Sequence, residues 1–159
     1  MKIDRCKQKG VTLIESLIAI LLFSMGILAL VGMYAAATSR TSDSQYRVEA
    51  ANYANRIVGQ IWANVDRSTS ATLTNSLLAF QHLPGSGTCS FSGSASANAA
   101  VTQWVADITA AGTGLPGATN AMQQILVDTA NANRVTVTVC WRTPSDTAAH
   151  RHVLVANIN

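Results

Sequence analysis

The N-terminal quarter of the chain carries one long apolar stretch. From Leu17 to Ala37 there is no charged side chain over 21 residues, and between Gly10 and Arg40 the single acidic or basic residue is Glu15. A helix needs about 20 apolar residues to cross the hydrocarbon core of a bilayer. The pattern therefore predicts a membrane-spanning helix. We expect Glu15 to have a partner, because a lone charge is costly at membrane depth.

Beyond Arg40 the apolar positions become periodic. They recur every three or four residues and form one stripe that consists of Tyr46, Ala50, Tyr53, Ile57, Ile61 and Val65. Ala54, Val58 and Trp62 flank this stripe. This spacing predicts that the helix continues from Val11 to about Asp66 and buries one face against the C-terminal domain. A coiled coil with another chain is less consistent with the pattern, since the stripe is short and lacks flanking charges. Two pairs spaced by four residues lie on the other side: Asp43 with Arg47, and Asn52 with Arg56.

The middle of the chain mixes polar and short apolar segments. Ser68 to Asn75 predicts a polar break, and Leu77, Leu78 and Phe80 form a short apolar patch after it. Residues 85–100 are rich in Gly, Ser, Ala and Asn, which favours a loop over packed structure, and we expect Cys89 to fasten this otherwise mobile segment. Helical spacing returns over Ala99 to Ala110 and ends before a turn at residues 114–117.

The last third predicts a three-stranded sheet. Gln124 to Asp128 indicates a strand, residues 131–133 a turn, Arg134 to Trp141 a strictly alternating strand, and His150 to Ile158 a third strand. Consecutive strands with short turns predict an antiparallel meander at about residues 123–158 that covers the amphipathic half of the helix. The expected class is α+β. The expected segments are a leader (1–10), a long helix (11–66, with 11–37 in the membrane and 38–66 amphipathic) and a globular domain (67–159).

The charge is concentrated in the leader. Lys2, Arg5, Lys7 and Lys9 against Asp4 account for the whole formal charge of +3, and the remainder has seven Arg, seven acids and no Lys. A basic cluster before an apolar run keeps the N-terminus in the cytoplasm, so the C-terminal part should be exported. A cleaved secretory signal is the competing interpretation, but its apolar region is shorter, at about 7–15 residues.

The exported part contains two of the three cysteines. Cys6 lies in the leader, so Cys89 and Cys140 would face an oxidising compartment, where an even pair indicates one disulfide. Two buried thiols are the alternative. A metal site would need more ligands than two cysteines.

The residues around the leader carry a family resemblance. Lys9-Gly10 followed by Val11-Thr12-Leu13-Ile14-Glu15 resembles the prepilin signature of type IV pilins and type II secretion pseudopilins, with Val11 in place of the usual Phe. Residues 16–30 are most similar to PilV-type minor pilins. The resemblance implies the type IV pilin fold, cleavage between Gly10 and Val11, N-methylation of Val11, and roles for Glu15 and Thr12 in subunit assembly.

The resemblance also implies the partners and the location. These are other major and minor pilin subunits, prepilin peptidase, an inner-membrane assembly platform and membrane lipid. The expected subunit is first a single-pass inner-membrane protein with a periplasmic domain and then part of an extracellular fibre that serves adhesion and twitching motility. Two alternatives stay open: a minor pseudopilin of a type II secretion system, and a bitopic membrane protein whose periplasmic domain binds a ligand or partner and never polymerises.

Other chemistry has weak support in the sequence. His150 and His152 lie two apart on a strand, but no third ligand is near in sequence, so we expect no metal and no other cofactor. Ser86 and Ser90 lie in a Gly/Ser loop without a catalytic motif, and we expect no enzymatic activity. Direct DNA binding is not expected either, because the exported part has no Lys and no net charge.

Overall fold

The computed structural model describes residues 11–159, with Val11 and Ser39 described by their backbone alone. The predicted leader, including Gly10, lies outside the described residues. The first element is the helix α1, Val11–Asn64, which ends two residues before the predicted limit at Asp66. The chain divides after Asp43 into two compact units.

The first unit contains the apolar half of α1. Its large apolar side chains are exposed, with Phe23 69% and Leu28 72% accessible. Among the described residues, α1 is the one helix long and apolar enough to cross a membrane by length and composition. Exposure of such a surface fits a lipid or protein environment better than water.

The second unit has a core built from the amphipathic end of α1, two short helices and the sheet. From α1 the fully buried residues are Ala50, Ala54, Ile57 and Ile61, which lie on the predicted stripe or beside it. Trp62 was predicted to flank this stripe, but its side chain is 43% exposed and the Arg67 guanidinium lies 5.1 Å from its ring centroid. The predicted packing of the meander on α1 is confirmed, since both contribute to one core cluster.

The helix α2, Ser70–Leu78, occupies the segment that we predicted as a polar break. Thr69 caps it: the Thr69 hydroxyl accepts from the Thr72 backbone N–H at 3.1 Å, and the Thr72 hydroxyl accepts from the Thr69 N–H at 3.0 Å. This reciprocal pair forms a capping box with Thr in the position that Glu or Gln usually occupies. The prediction was therefore wrong here, because the Ser and Thr residues start a helix rather than interrupt one.

The helix α3, Ala99–Thr109, follows the predicted range closely. The Asn98 side chain accepts from the Ala100 N–H at 2.9 Å and so caps its first turn. On α3, Asp107 pairs with Arg56 of α1. The spacing of four residues predicted that Arg56 pairs with Asn52, but in the structure the Arg56 guanidinium pairs with the Asp107 carboxylate on α3.

The strands form one antiparallel sheet of order β1-β2-β3, with β1 at Gln123–Asp128, β2 at Arg134–Trp141 and β3 at His150–Asn157. Both pairings are antiparallel, as predicted. The turn between β1 and β2 holds Ala132 and Asn133 at φ values of 52° and 48°. The α+β class with a long N-terminal helix and a small meander is confirmed.

Candidate functional site

The residues predicted to assemble subunits lie in the first turns of α1. Thr12 and Glu15 are both helical and exposed. The backbone of Val11 begins the helix, whereas its partner in the predicted cleavage site, Gly10, lies outside the described residues. The structure thus presents the Glu15 carboxylate on an open helical surface, where another molecule can reach it.

The serine hydroxyls of this apolar segment are satisfied locally. Ser16 donates to the Thr12 carbonyl at 2.8 Å, and Ser24 donates to the Ile20 carbonyl at 2.7 Å. Such i to i−4 bonds remove the cost of placing a hydroxyl in hydrocarbon. Glu15 differs, because an ionised carboxylate can only accept hydrogen bonds, whereas the helix carbonyls that satisfy the serines are themselves acceptors. Of the polar groups here, it depends most on a partner from outside the helix.

The predicted disulfide is present in the second unit. Cys89 and Cys140 are joined across a sequence separation of 51, with their Cα atoms 5.6 Å apart. Cys140 is fully buried on β2, and Cys89 is nearly so. Cys89 adopts a left-handed backbone conformation with φ at 56°, which is uncommon for a residue other than Gly, Asn or Asp.

The loop that carries Cys89 is a hairpin loop at residues 83–94, and it is better anchored than its composition indicates. The Leu83 N–H donates to Ser94 at 3.0 Å, and the Gly85 N–H donates to Ser92 at 2.8 Å. The side-chain amide of Gln124 on β1 donates to the carbonyls of both Leu83 and Gly85, at 2.7 and 2.8 Å. The hairpin loop therefore lies on the sheet, where the disulfide through Cys89 fastens it as predicted. Sequence reasoning missed Gln124, since a polar residue on a strand gives no signal of which loop it will bind.

Glycine is required where the two sides of this hairpin loop meet. A Cβ at Gly85 would collide with the Ser92 side chain and backbone, and Gly93 has φ at 105°. The loop can therefore close only with glycine at these two positions.

A polar cluster lies where β2 ends and β3 begins. The His150 ring stacks on Trp141 with their centroids 5.6 Å apart, and its Nε2 lies 3.0 Å from the Asp146 carboxylate. The Thr143 hydroxyl donates to the same carboxylate and holds the pKa of Asp146 below its ordinary value, and His150 contributes less in the same direction. These contacts use His150 as a structural residue. His152 lies on the same face, but no group of three potential metal ligands occurs within residues 11–159.

Trp104 of α3 packs in the core and also makes a specific contact. Its indole N–H donates to the Tyr53 carbonyl of α1 at 2.9 Å, and its side chain is almost wholly buried. This contact ties α3 to the amphipathic half of α1.

Comparison with known proteins indicates the class of protein that this chain resembles. The family model for the prokaryotic N-terminal methylation motif matches residues 5–31. No curated protein sequence and no solved structure matches the chain. The matched motif supports the class of type IV pilins and pseudopilins, which are structural proteins rather than enzymes. It implies processing by prepilin peptidase and assembly with other pilins, and with the apolar helix it indicates membrane anchoring.

Proposed function

We propose that this protein is a minor subunit of a type IV pilus, similar to the PilV type. The methylation motif over residues 5–31 is the observation that carries the proposal. In this account prepilin peptidase cuts after Gly10, Val11 is N-methylated, and the subunit waits in the inner membrane with residues 44–159 in the periplasm. It then enters the fibre, where it takes part in priming, adhesion or motility.

The mechanism of assembly is packing of helices. The apolar half of α1 is exposed along its length, so it can exchange lipid for the helices of neighbouring subunits. Association in the membrane gains little from hydrophobicity, because lipid tails are as apolar as leucine. Shape and polar groups must therefore set the register between subunits. Glu15 is the strongest such group, and a positive N-terminal amine on a neighbouring subunit would neutralise it.

The same motif supports a minor pseudopilin of a type II secretion system, which would use an equivalent helix in a shorter filament. The identity of the neighbouring genes separates these two functions. A bitopic protein that never polymerises is a third possibility, and it predicts that the leader is retained.

Substitution of Glu15 tests the assembly mechanism. We expect Glu15→Val to insert in the membrane and to be cleaved like the wild type, since it only raises hydropathy. Its recovery in sheared fibres should fall at least tenfold at equal membrane levels. Leu17→Val, two residues further along the helix, is the matched control and should assemble normally. Equal recovery of Glu15→Val and the control in sheared fibres would show that the Glu15 carboxylate has no essential part in assembly.

A further inference from the structure

The two edges of the sheet differ in how they are paired. At the β1 edge, the Ile125 backbone exchanges two hydrogen bonds with His82, at 2.9 and 3.0 Å. At the β3 edge, residues 151–157 make no backbone hydrogen bond except to β2, as far as the described part of the chain extends. An open edge strand is a template on which another chain can add a strand.

The pattern of hydrogen bonds identifies which residues of β3 face this open edge. In an antiparallel pair, residues that bond to the neighbouring strand alternate with residues whose backbone groups point away from it. The Ile158 N–H donates to the Asn133 carbonyl at 3.2 Å, so the even-numbered residues of β3 bond to β2. The N–H and C=O groups of Arg151, Val153 and Val155 therefore point outward from the sheet.

The side chains of these three residues lie on the outer face of the sheet, opposite the core. The hairpin loop covers one part of that face, where Thr138 and Cys140 are buried. The side chains of Val153 and Val155 stay open, at 45% and 54% accessible. Pro and Lys, which commonly block pairing at exposed edges, are absent from β3, and Arg151 is its one Asp, Glu, Lys or Arg residue.

The inner face of β3 is also incompletely covered. Leu154 and Ala156 pack against the core but are only partly buried, whereas Val137 and Val135, which lie opposite them on β2, are wholly buried. A further strand beside β3 would remove more of this apolar surface from water.

Arg151 indicates the chemistry of the strand that would fit. Its guanidinium has no ion pair or hydrogen bond within residues 11–159, whereas Arg134, also on the outer face, pairs with Asp128 at 3.1 Å. Opposite charges directly across a strand pair stabilise it. A second copy of β3 would not supply such a charge, because residues 150–157 contain no acid. An acidic residue on a different chain would.

We propose that the open edge of β3 binds an extended segment of a different protein as an antiparallel fourth strand. Apolar side chains of that segment lie opposite Val155 and Val153, and an acidic side chain lies opposite Arg151. Backbone hydrogen bonds supply the affinity, and the alternate side chains supply the specificity. The antiparallel direction is the more stable per residue. This surface lies wholly within the second unit and does not depend on the proposed role in the pilus.

A model peptide tests the pairing. The probe is the amidated octapeptide Thr-Thr-Val-Thr-Val-Thr-Glu-Thr with fluorescein at its N-terminus. It is titrated with the full-length protein in detergent micelles and followed by anisotropy, with empty micelles as the blank. We expect saturable binding, because this peptide places its two Val residues opposite Val155 and Val153 and its Glu opposite Arg151.

N-methylation of the peptide tests the backbone contacts without changing the protein. Methyl groups on the N atoms of the two Val residues remove N–H groups that face β3, so the affinity should fall about tenfold or more. Methyl groups on the Thr residues that follow each Val are the matched control. Their N–H groups point away from β3, so the affinity should stay within about twofold of the parent peptide.

Charge reversal tests the register. Arg151→Glu should weaken binding of the probe about fivefold and should favour a peptide with Lys in place of its Glu. This exchange of preference requires antiparallel pairing, because the parallel direction would place the peptide charge opposite Val155. Asn55→Glu, at an exposed site on α1, is the matched control and should leave the preference for the Glu peptide unchanged.

Three results would overturn the proposal. They are the absence of saturable binding, equal affinities for the two N-methylated peptides, and an unchanged charge preference in Arg151→Glu. A dimer of the protein in micelles that excess peptide disperses would assign the β3 edge to a second copy of this chain instead.

Discussion

Removal of the disulfide should lower the free energy of unfolding by an amount that can be worked out from the structure. The double substitution Cys89→Ala with Cys140→Ala opens a covalent loop that spans a sequence separation of 51. In the chain-entropy treatment, closing a loop of this length destabilises the unfolded state by about 4 kcal/mol at 25 °C. That is a large share of the roughly 5–15 kcal/mol that holds a typical domain folded.

Two features of the structure modify this value in opposite directions. Both cysteines are buried, so the loss of their sulfur atoms also removes apolar packing, at about 25 cal/mol per Å². Against this, the Gln124 amide keeps the hairpin loop on the sheet without the disulfide, so the folded state changes little. We therefore expect a net loss of about 3 to 5 kcal/mol in the free energy of unfolding.

Urea unfolding of the full-length protein, followed by tryptophan fluorescence, measures this loss. Trp104 and Trp141 are buried, and both enter water when the second unit unfolds. The urea m-value should also rise, because an unfolded chain without the cross-link exposes more surface. Cys6→Ala changes a cysteine outside the pair and should leave the stability unaltered. A loss below about 1 kcal/mol for the double variant would contradict the entropic argument. Free thiols in denatured protein isolated without reductant would contradict the disulfide itself.

Two further substitutions test individual contacts. Trp104→Phe removes the hydrogen bond to the Tyr53 carbonyl and should cost about 2 kcal/mol in urea unfolding, whereas Trp62→Phe at an exposed site should cost under about 0.5 kcal/mol. Thr143→Val removes a donor to Asp146, so the pKa of that carboxyl should rise towards its ordinary value of 3.8 in an NMR titration. Because the folded-state pKa is depressed, ionised Asp146 stabilises the fold above the unfolded-state pKa, and this contribution is lost as the pH falls through the folded-state value. If the pKa of Asp146 is unchanged in the Thr143→Val variant, a contact other than the Thr143 hydroxyl must be what lowers it.

Periodicity predicted most of the fold because the elements concerned each bury one face. The α1 stripe and the three valines of β2 meet the core, so sequence spacing and observed burial agree there. On the opposite face of β2, Thr138 and Cys140 are buried as well, which alternation did not predict. The polar segment that forms the start of α2 was misread because Ser and Thr favour both loops and helix starts. The local sequence does not decide between them. In the fold, the reciprocal hydrogen bonds between Thr69 and Thr72 cap the segment and make it the start of a helix.

Long-range polar contacts could not be predicted from the sequence. Gln124 binds a loop about 40 residues earlier, and Arg56 pairs with a carboxylate on α3 rather than with a neighbour on its own helix. The N-terminal motif is the opposite case: its residues are contiguous, so the sequence and its resemblance to prepilins are enough to predict a cleavage site at Gly10 and Val11 and a role for Glu15 in assembly.

Intact-mass measurement of the membrane-extracted protein tests the central claim most directly. In cells with prepilin peptidase, the account predicts a mature chain that begins at Val11, lacks residues 1–10 and carries one added methyl group. In cells without the peptidase, the same measurement should give the full-length chain. Cleavage at any other position, or retention of the leader in the presence of the peptidase, would contradict the assignment to the type IV pilins and pseudopilins.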